Sequence, residues 1–296
     1  MASTRSEVTA FAVGRGAAAS REGADVSTYP PADQPVQLTG YTWRSGGLEL
    51  LWRVWPHEPP PAPDASAASQ RWPLTPGMTL SLTAARPGAP GERRCTGYHP
   101  PAGGPPLLCP EWQPLPPGSH SQCDLCMRRE GRLEVVTSDG SRPPTGPSAA
   151  YLRSAHEVYL AAFAPDLLKV GVSGAGRAPL RVLEQGAPAA LVIGRADDGM
   201  AARRLEHALG LAGVRERVPV RTKLRLLYPP PSAPALLAVL TTALDRLSAA
   251  LPGGWPAEVE RLDPPQPLDN TPTLGLATLD AAPIAAPGPP AGAIHG

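Results

Sequence analysis

Hydrophobic and polar positions change rhythm several times along the 296 residues, and each change predicts an element. The first 35 residues, mostly Ala, Gly, Ser and Arg, hold no sustained period and are expected to be disordered. From Leu38 to Val54 the chain turns apolar and aromatic (Tyr41, Trp43, Leu48, Leu50, Leu51, Trp52), and the break Ser45-Gly46-Gly47 in its middle predicts a hairpin. After a Pro-rich linker at 56–70, Met78 to Thr83 alternates apolar with hydroxylated side chains, the signature of a half-buried strand.

Beyond a Pro/Gly-rich break near 138–148 the rhythm becomes more regular. Val158–Phe163 and Leu167–Val172 are two apolar runs joined by Ala164-Pro165-Asp166, a hairpin-like connection. A short helix follows over 179–185, closed by Gly186, and then a strand over 190–193. Asp198 is placed to cap a helix over 200–211, whose Ala201, Leu205, Ala208, Leu209 and Ala212 fall on one face. The order is strand, strand, helix, strand, helix. Ser232 and Pro234 open a last helix that runs to about Ala250, with Leu236, Leu237, Leu240, Leu244, Leu247 and Leu251 as its core stripe and Pro252-Gly253 as its stop. The Pro- and Ala-rich tail over 263–296 is expected to be loose, with TLGLATL its one strand candidate.

Composition limits how much of this is core. The chain has 41 Pro and 30 Gly, 5% aromatic and 42% hydrophobic residues, which suits one or two modest domains joined by irregular stretches. No run approaches the roughly 18 apolar residues of a membrane span, and the charged first thirty residues have no apolar signal region, so a cytoplasmic protein without a membrane partner is expected. The net charge of +1 conceals an asymmetry: residues 151–230 hold 12 Lys and Arg against 7 Asp and Glu. Such a segment suits an anionic partner, nucleic acid first. Seven cations fall within 203–225 (Arg203, Arg204, Arg215, Arg217, Arg221, Lys223, Arg225), enough to track a phosphate backbone if they share a face. Arginine otherwise replaces lysine throughout, since Lys169 and Lys223 are the two lysines of the chain.

All four cysteines lie within 95–126, spaced Cys95-x13-Cys109-x13-Cys123-x2-Cys126. A Cys-x2-Cys turn presents two thiolates to one ion while further ligands arrive from elsewhere, so the count fits a structural zinc site closed by four protein ligands. His99 and His120 are alternative ligands, because imidazole and thiolate both suit zinc. A redox pair and inert buried thiols are the other readings of the same residues.

The series RRCTGYH, QCDLC, VYLAAF, KVGVS and LEQGA resembles an uncharacterised prokaryotic family, DUF2797-like, over roughly residues 95–210. Within it, Val158-Tyr159-Leu160, Lys169-Val170-Gly171, Arg181 and Glu206 resemble, in order, the elements of the GIY-YIG nuclease superfamily. That resemblance implies a metal-dependent phosphodiesterase or endonuclease in which tyrosines assist attack by water, an arginine steadies the phosphate and a helix glutamate holds a divalent ion such as magnesium. Tyr159, Arg181 and Glu206 match three of those groups, and Lys169 stands where the second tyrosine is expected. A protonated lysine binds phosphate as a point charge but is no base unless its pKa is strongly lowered.

The chain is therefore read as α+β. A disordered 1–35 precedes a β-rich unit at 36–94, a Cys-rich zinc module at 95–137, a GIY-YIG-like ββαβα module with C-terminal helix at 150–252, and the tail at 263–296. Phosphate-directed binding of nucleic acid is the leading function, with cleavage as the further activity the resemblance implies. One alternative is a noncatalytic scaffold organised by zinc and the last helix. The other is a nucleotide-binding turn at Gly171–Gly176 with Asp197 as the ribose acid, although its glycines are spaced G-x2-G-x-G rather than G-x-G-x2-G.

Overall fold

The computed structural model describes residues 10–14, 36–44, 47–54, 70–74, 81–84, 93–100, 106–116, 121–219, 222–223 and 232–274. They fall into two units, one up to Leu133 and the other from Glu134 onward. The turn at Ser45-Gly46, the Pro-rich linker, His120, Arg221, Arg225 and most of TLGLATL lie outside the described residues.

In the first unit the aromatic stretch forms β2 (Val36–Arg44) and β3 (Gly47–Val54), paired antiparallel from Val36↔Val54 to Arg44↔Gly47. Trp52, opposite Leu38, and Trp72 of β4 (Gln70–Pro73) are buried. Three strands would leave a side open. It is closed by β1 (Ala10–Gly14), which pairs with β2 and with β5 (Ser81–Ala84), so the sheet runs β4-β3-β2-β1-β5. A strand within the first 35 residues corrects the expectation of disorder there. Ala10-Phe11-Ala12-Val13 has no period to read, but a strand with a neighbour on each side, β2 at Ala10 and Phe11 and β5 from Phe11 to Gly14, needs no amphipathic pattern.

The same unit carries the cysteines on little regular structure: β6 (Arg93–Arg94), β7 (Pro114–Leu115) and α1 (Asp124–Glu130). Gly131 in the left-handed region (φ 70°) ends α1, and α2 (Arg132–Thr137) follows.

The second unit contains a four-stranded antiparallel sheet in the order β11-β10-β8-β9. Both predicted apolar runs are strands, β8 (His156–Ala164) and β9 (Leu167–Gly174), followed by α4 (Ala178–Glu184), β10 (Ala189–Ala196) and α5 (Gly199–Leu211), with the short α3 (Ala149–Leu152) ahead of them. All nine residues of β8 are buried, because both faces of this central strand are covered. Val158, Leu160 and Ala162 pack with α5 and with α6 (Ala233–Ala250) through Leu205, Leu209, Leu236, Leu240 and Leu244. Tyr159, Ala161 and Phe163 face α4 through Ala178 and Val182. The predicted cap of α5 is present, with Met200 N–H donating to Asp198 Oδ1 at 3.0 Å.

The last strand, β11 (Glu260–Asp269), corrects the reading of the tail as loose. Its sequence, ERLDPPQPLD, has three prolines, which lack the amide a central strand must donate. As an edge strand it needs to pair on one side only, and a break in register against β10 between Val192 and Gly194 absorbs the Pro264-Pro265 segment. Among the described residues one helix, α6, is long and apolar enough by composition to cross a membrane. Its apolar stripe is buried in the sheet's core through Leu236, Leu240, Leu244 and Leu247.

Candidate functional site

The four cysteines converge. Cys123 is the N-cap of α1 and Cys126 lies in its first turn, so three residues of spacing put both sulfurs on one side of the helix start. Cys95 follows β6, and Cys109 comes from the irregular segment that crosses back at the isolated Tyr98↔Leu107 bridge. That crossing requires Gly97, at φ 88°, since a Cβ there would lie 1.9 Å from the Leu107 carbonyl oxygen. All four thiols are buried and unbridged, and their sulfurs lie within 4.8 Å of one another. Four sulfurs at the Zn–S distance on a tetrahedron stand about 3.8 Å apart, and Cys109 and Cys123 are 3.8 Å apart here. The contact with Cys109 pushes the Cys95 thiol up, against the amides of Cys123 and Gly97, which donate to its Sγ at 3.2 and 3.4 Å. As thiols they compete for protons: hydrogen bonds from Cys126 and Cys95 pull Cys109 down, and the same contact with Cys109 pushes Cys126 up. Four buried sulfurs in this arrangement can hold a metal ion such as zinc. His99 is exposed and stands outside the group.

The second constellation lies in the ββαβα part of the second unit, around β9. Tyr159 pairs in register with Gly171, and a Cβ on Gly171 would come within 2.4 Å of the phenol oxygen, so the missing side chain makes room for the ring. The hydroxyl accepts a hydrogen bond from Gln185 Nε2 at 2.7 Å. Tyr159 is 1% exposed, and burial raises its pKa to about 12 against the pull of Arg181. Lys169 Nζ lies 5.6 Å from the centre of the Tyr159 ring and donates to the Val170 carbonyl at 3.1 Å. Burial lowers this lysine to about 8; Glu206 opposes the shift, while Arg181, Lys223 and Arg203 add to it.

Lys223 joins the group from beyond α5. It sits 4.5 Å from the Phe163 ring centre and donates to the Gln185 carbonyl at 3.0 Å, and burial together with Arg181 lowers its pKa. Arg181, half exposed on α4, is paired with Glu184 at 3.3 Å. Among the described residues neither lysine has a carboxylate within ion-pair distance. Glu206 is 4% exposed and ion-paired with Arg203, which also donates to the Ser138 carbonyl at 2.6 and 2.9 Å. Burial raises the Glu206 pKa against the pull of Arg203 and Lys169. Arg203 and Glu206 also line a cleft of about 530 Å³ with Ser138, Asp139, His207 and Glu216.

Tyr159, Lys169, Arg181 and Glu206 thus lie close enough to act on one another's charge. The seven-cation run does not behave as one tract. Arg203 is held by Glu206 and Ser138, and Arg204 by the Gly140 carbonyl and, at 3.9 Å, by Glu258. What gathers instead is one cation from each of three segments, Lys169, Arg181 and Lys223. Sequence reasoning missed that grouping and Gln185 with it, although the rarity of lysine was a usable signal.

The nucleotide-turn alternative is corrected. Gly171 to Gly174 belong to β9, and the sheet is antiparallel throughout. The amides of Gly176 and Ala178, which would meet a pyrophosphate, donate instead to Glu157 Oε2 at 3.0 and 3.4 Å. A buried carboxylate already occupies that helix start.

Residues 118–249, which contain Cys123, Cys126 and the whole ββαβα part, match a family model described as "Protein of unknown function (DUF2797)". That stretch of the chain is DUF2797-like. No curated protein and no solved structure matches the chain.

Proposed function

We propose that the ββαβα part binds nucleic acid through its phosphates at the Lys169–Arg181–Lys223 cluster, and that the four cysteines hold a structural zinc ion. One observation carries the binding reading: two lysines and an arginine from separate segments gather at a cost in mutual repulsion, and both lysines lack a carboxylate at ion-pair distance among the described residues. Cations gathered at that cost favour a bound anion, and a phosphate supplies the missing charge.

The GIY-YIG likeness adds cleavage as a second reading. Lys169, where the superfamily has a tyrosine, is lowered far enough to exchange its proton near neutral pH. Binding without cleavage is favoured by two facts. The phenol of Tyr159 is sealed and hydrogen-bonded to Gln185, and the carboxylate of Glu206 faces Arg203. A magnesium ion there would draw on Glu206 and on phosphate oxygens, because among the described residues the four cysteines are the only group of three or more metal-capable side chains.

The test is retardation of labelled DNA and RNA oligonucleotides at increasing salt. Binding that weakens with salt and falls in Arg181→Gln/Lys223→Gln is expected; no retardation at low salt, or an unchanged double variant, rejects the reading. Magnesium-dependent nicking that disappears in Glu206→Ala would establish cleavage. A protein scaffold predicts neither result.

A further inference from the structure

Two of the 27 Lys and Arg residues are lysines, and both stand around Tyr159 and Gln185: Lys169 lies over the Tyr159 ring, Gln185 donates to the Tyr159 hydroxyl, and Lys223 donates to the Gln185 carbonyl. Guanidinium groups serve every other basic position, so charge alone does not explain why amines are kept at these two. The chemical difference is that an amine can lose its proton and present a lone pair, whereas a guanidinium stays charged. The surroundings promote that loss. The ammonium groups lie over the rings of Tyr159 and Phe163, two residues of the same face of β8. The charged and titratable groups acting on Lys169 are Tyr159 from β8, Arg181 from α4, Arg203 and Glu206 from α5, and Lys223. Three of these are cations. A partly desolvated lysine beside other cations is a recognised form of activated amine nucleophile.

We propose that Lys169 forms an imine with aldehydes that carry a neighbouring phosphate ester, the chemistry shared by an abasic site in DNA and by a free aldose phosphate. This rests on the phosphate-binding reading: Arg181 and Lys223 hold the phosphate while the amine meets the carbonyl carbon. The neutral amine adds its lone pair to that carbon and a C–N bond forms. Two amine hydrogens leave with the carbonyl oxygen as water, and C=N replaces C=O. No oxidant or reductant is consumed, and water reverses the reaction.

The experiment uses the full chain with two probes, a labelled oligonucleotide containing one abasic site and, separately, ribose 5-phosphate. Each is incubated with cyanoborohydride, which reduces the imine to a stable secondary amine. The expected result is an adduct mapped to Lys169 by peptide mass spectrometry, increasing as pH rises toward about 8 and lost in Lys169→Arg. The probe trapped more efficiently identifies the source of the aldehyde. An adduct mapped to Lys223 or the N-terminal amine, or no adduct with either probe, overturns the proposal, and because mapping is done on the wild type the answer does not depend on how the variant folds. The same oligonucleotide with an intact base separates the two readings. Retardation of it without an adduct from either probe rejects the imine alone, whereas absence of retardation rejects the phosphate site beneath it.

Discussion

Gly171 and Lys169 show how closely single residues are constrained in this part of the chain. Gly171→Ala would place a methyl group 2.4 Å from the Tyr159 oxygen, against a ring that is 1% exposed. The expected loss is about 1–3 kcal/mol of stability, as for other overpacked cores, read by denaturant unfolding. Lys169 gives a pH signature. Its folded pKa is about 8 against an ordinary 10.5, so between those values the unfolded chain holds the proton that the folded chain has released. Stability from this group is therefore present above about 10.5 and is lost as pH falls through about 8. Lys169→Gln removes the effect, so the difference in stability between wild type and variant should narrow on the acid side and widen on the alkaline side of that window. A pH-independent difference would show that the side chain is not desolvated in solution.

The elements are held at their ends by carboxylates that the local pattern announces unequally. Asp198 before the apolar stripe of α5 is a readable N-cap, and Asp198→Ala should cost about 1 kcal/mol, measured by thermal or denaturant unfolding. Glu157 does the corresponding work for α4 from the start of β8, 19 residues earlier, through its bond to the Gly176 amide. No spacing rule would identify it. β11 makes the same point for strands: its prolines read as a break, and only a neighbour on one side and none on the other makes them acceptable. β1 is the opposite case, too short and uniform to be read, yet paired on both sides.

For the whole molecule the strongest expectations concern metal and salt. Purified protein should contain stoichiometric zinc, and Cys123→Ser should lose it, because four buried sulfurs that can hold a metal ion lie in a segment with little regular structure besides α1 and two-residue strands. Elemental analysis checks this, and a metal-free wild type would leave the thiols as packing. Affinity for nucleic acid should fall steeply with salt while unfolding stability changes little, since phosphate contacts displace counterions and a packed core does not. Gel retardation and denaturant unfolding in the same buffers separate the two effects.

The cysteine spacing already contained half of the thiol cluster, because two thiols three residues apart at a helix start face the same way without help from the rest of the chain. Periodicity likewise contained the strand-strand-helix-strand-helix order and the leucine stripe of α6, both of which depend on near neighbours. Lys169, Arg181, Lys223 and Glu206 are different. Their meeting depends on β9 lying beside β8, on α4 crossing the face that bears Tyr159, and on the chain beyond α5 returning to Gln185. Sequence patterns record the turns of one helix or strand. Electrostatic interaction depends on distance through space, and folding alone brought these four charges close enough for each lysine to shed part of its hold on a proton.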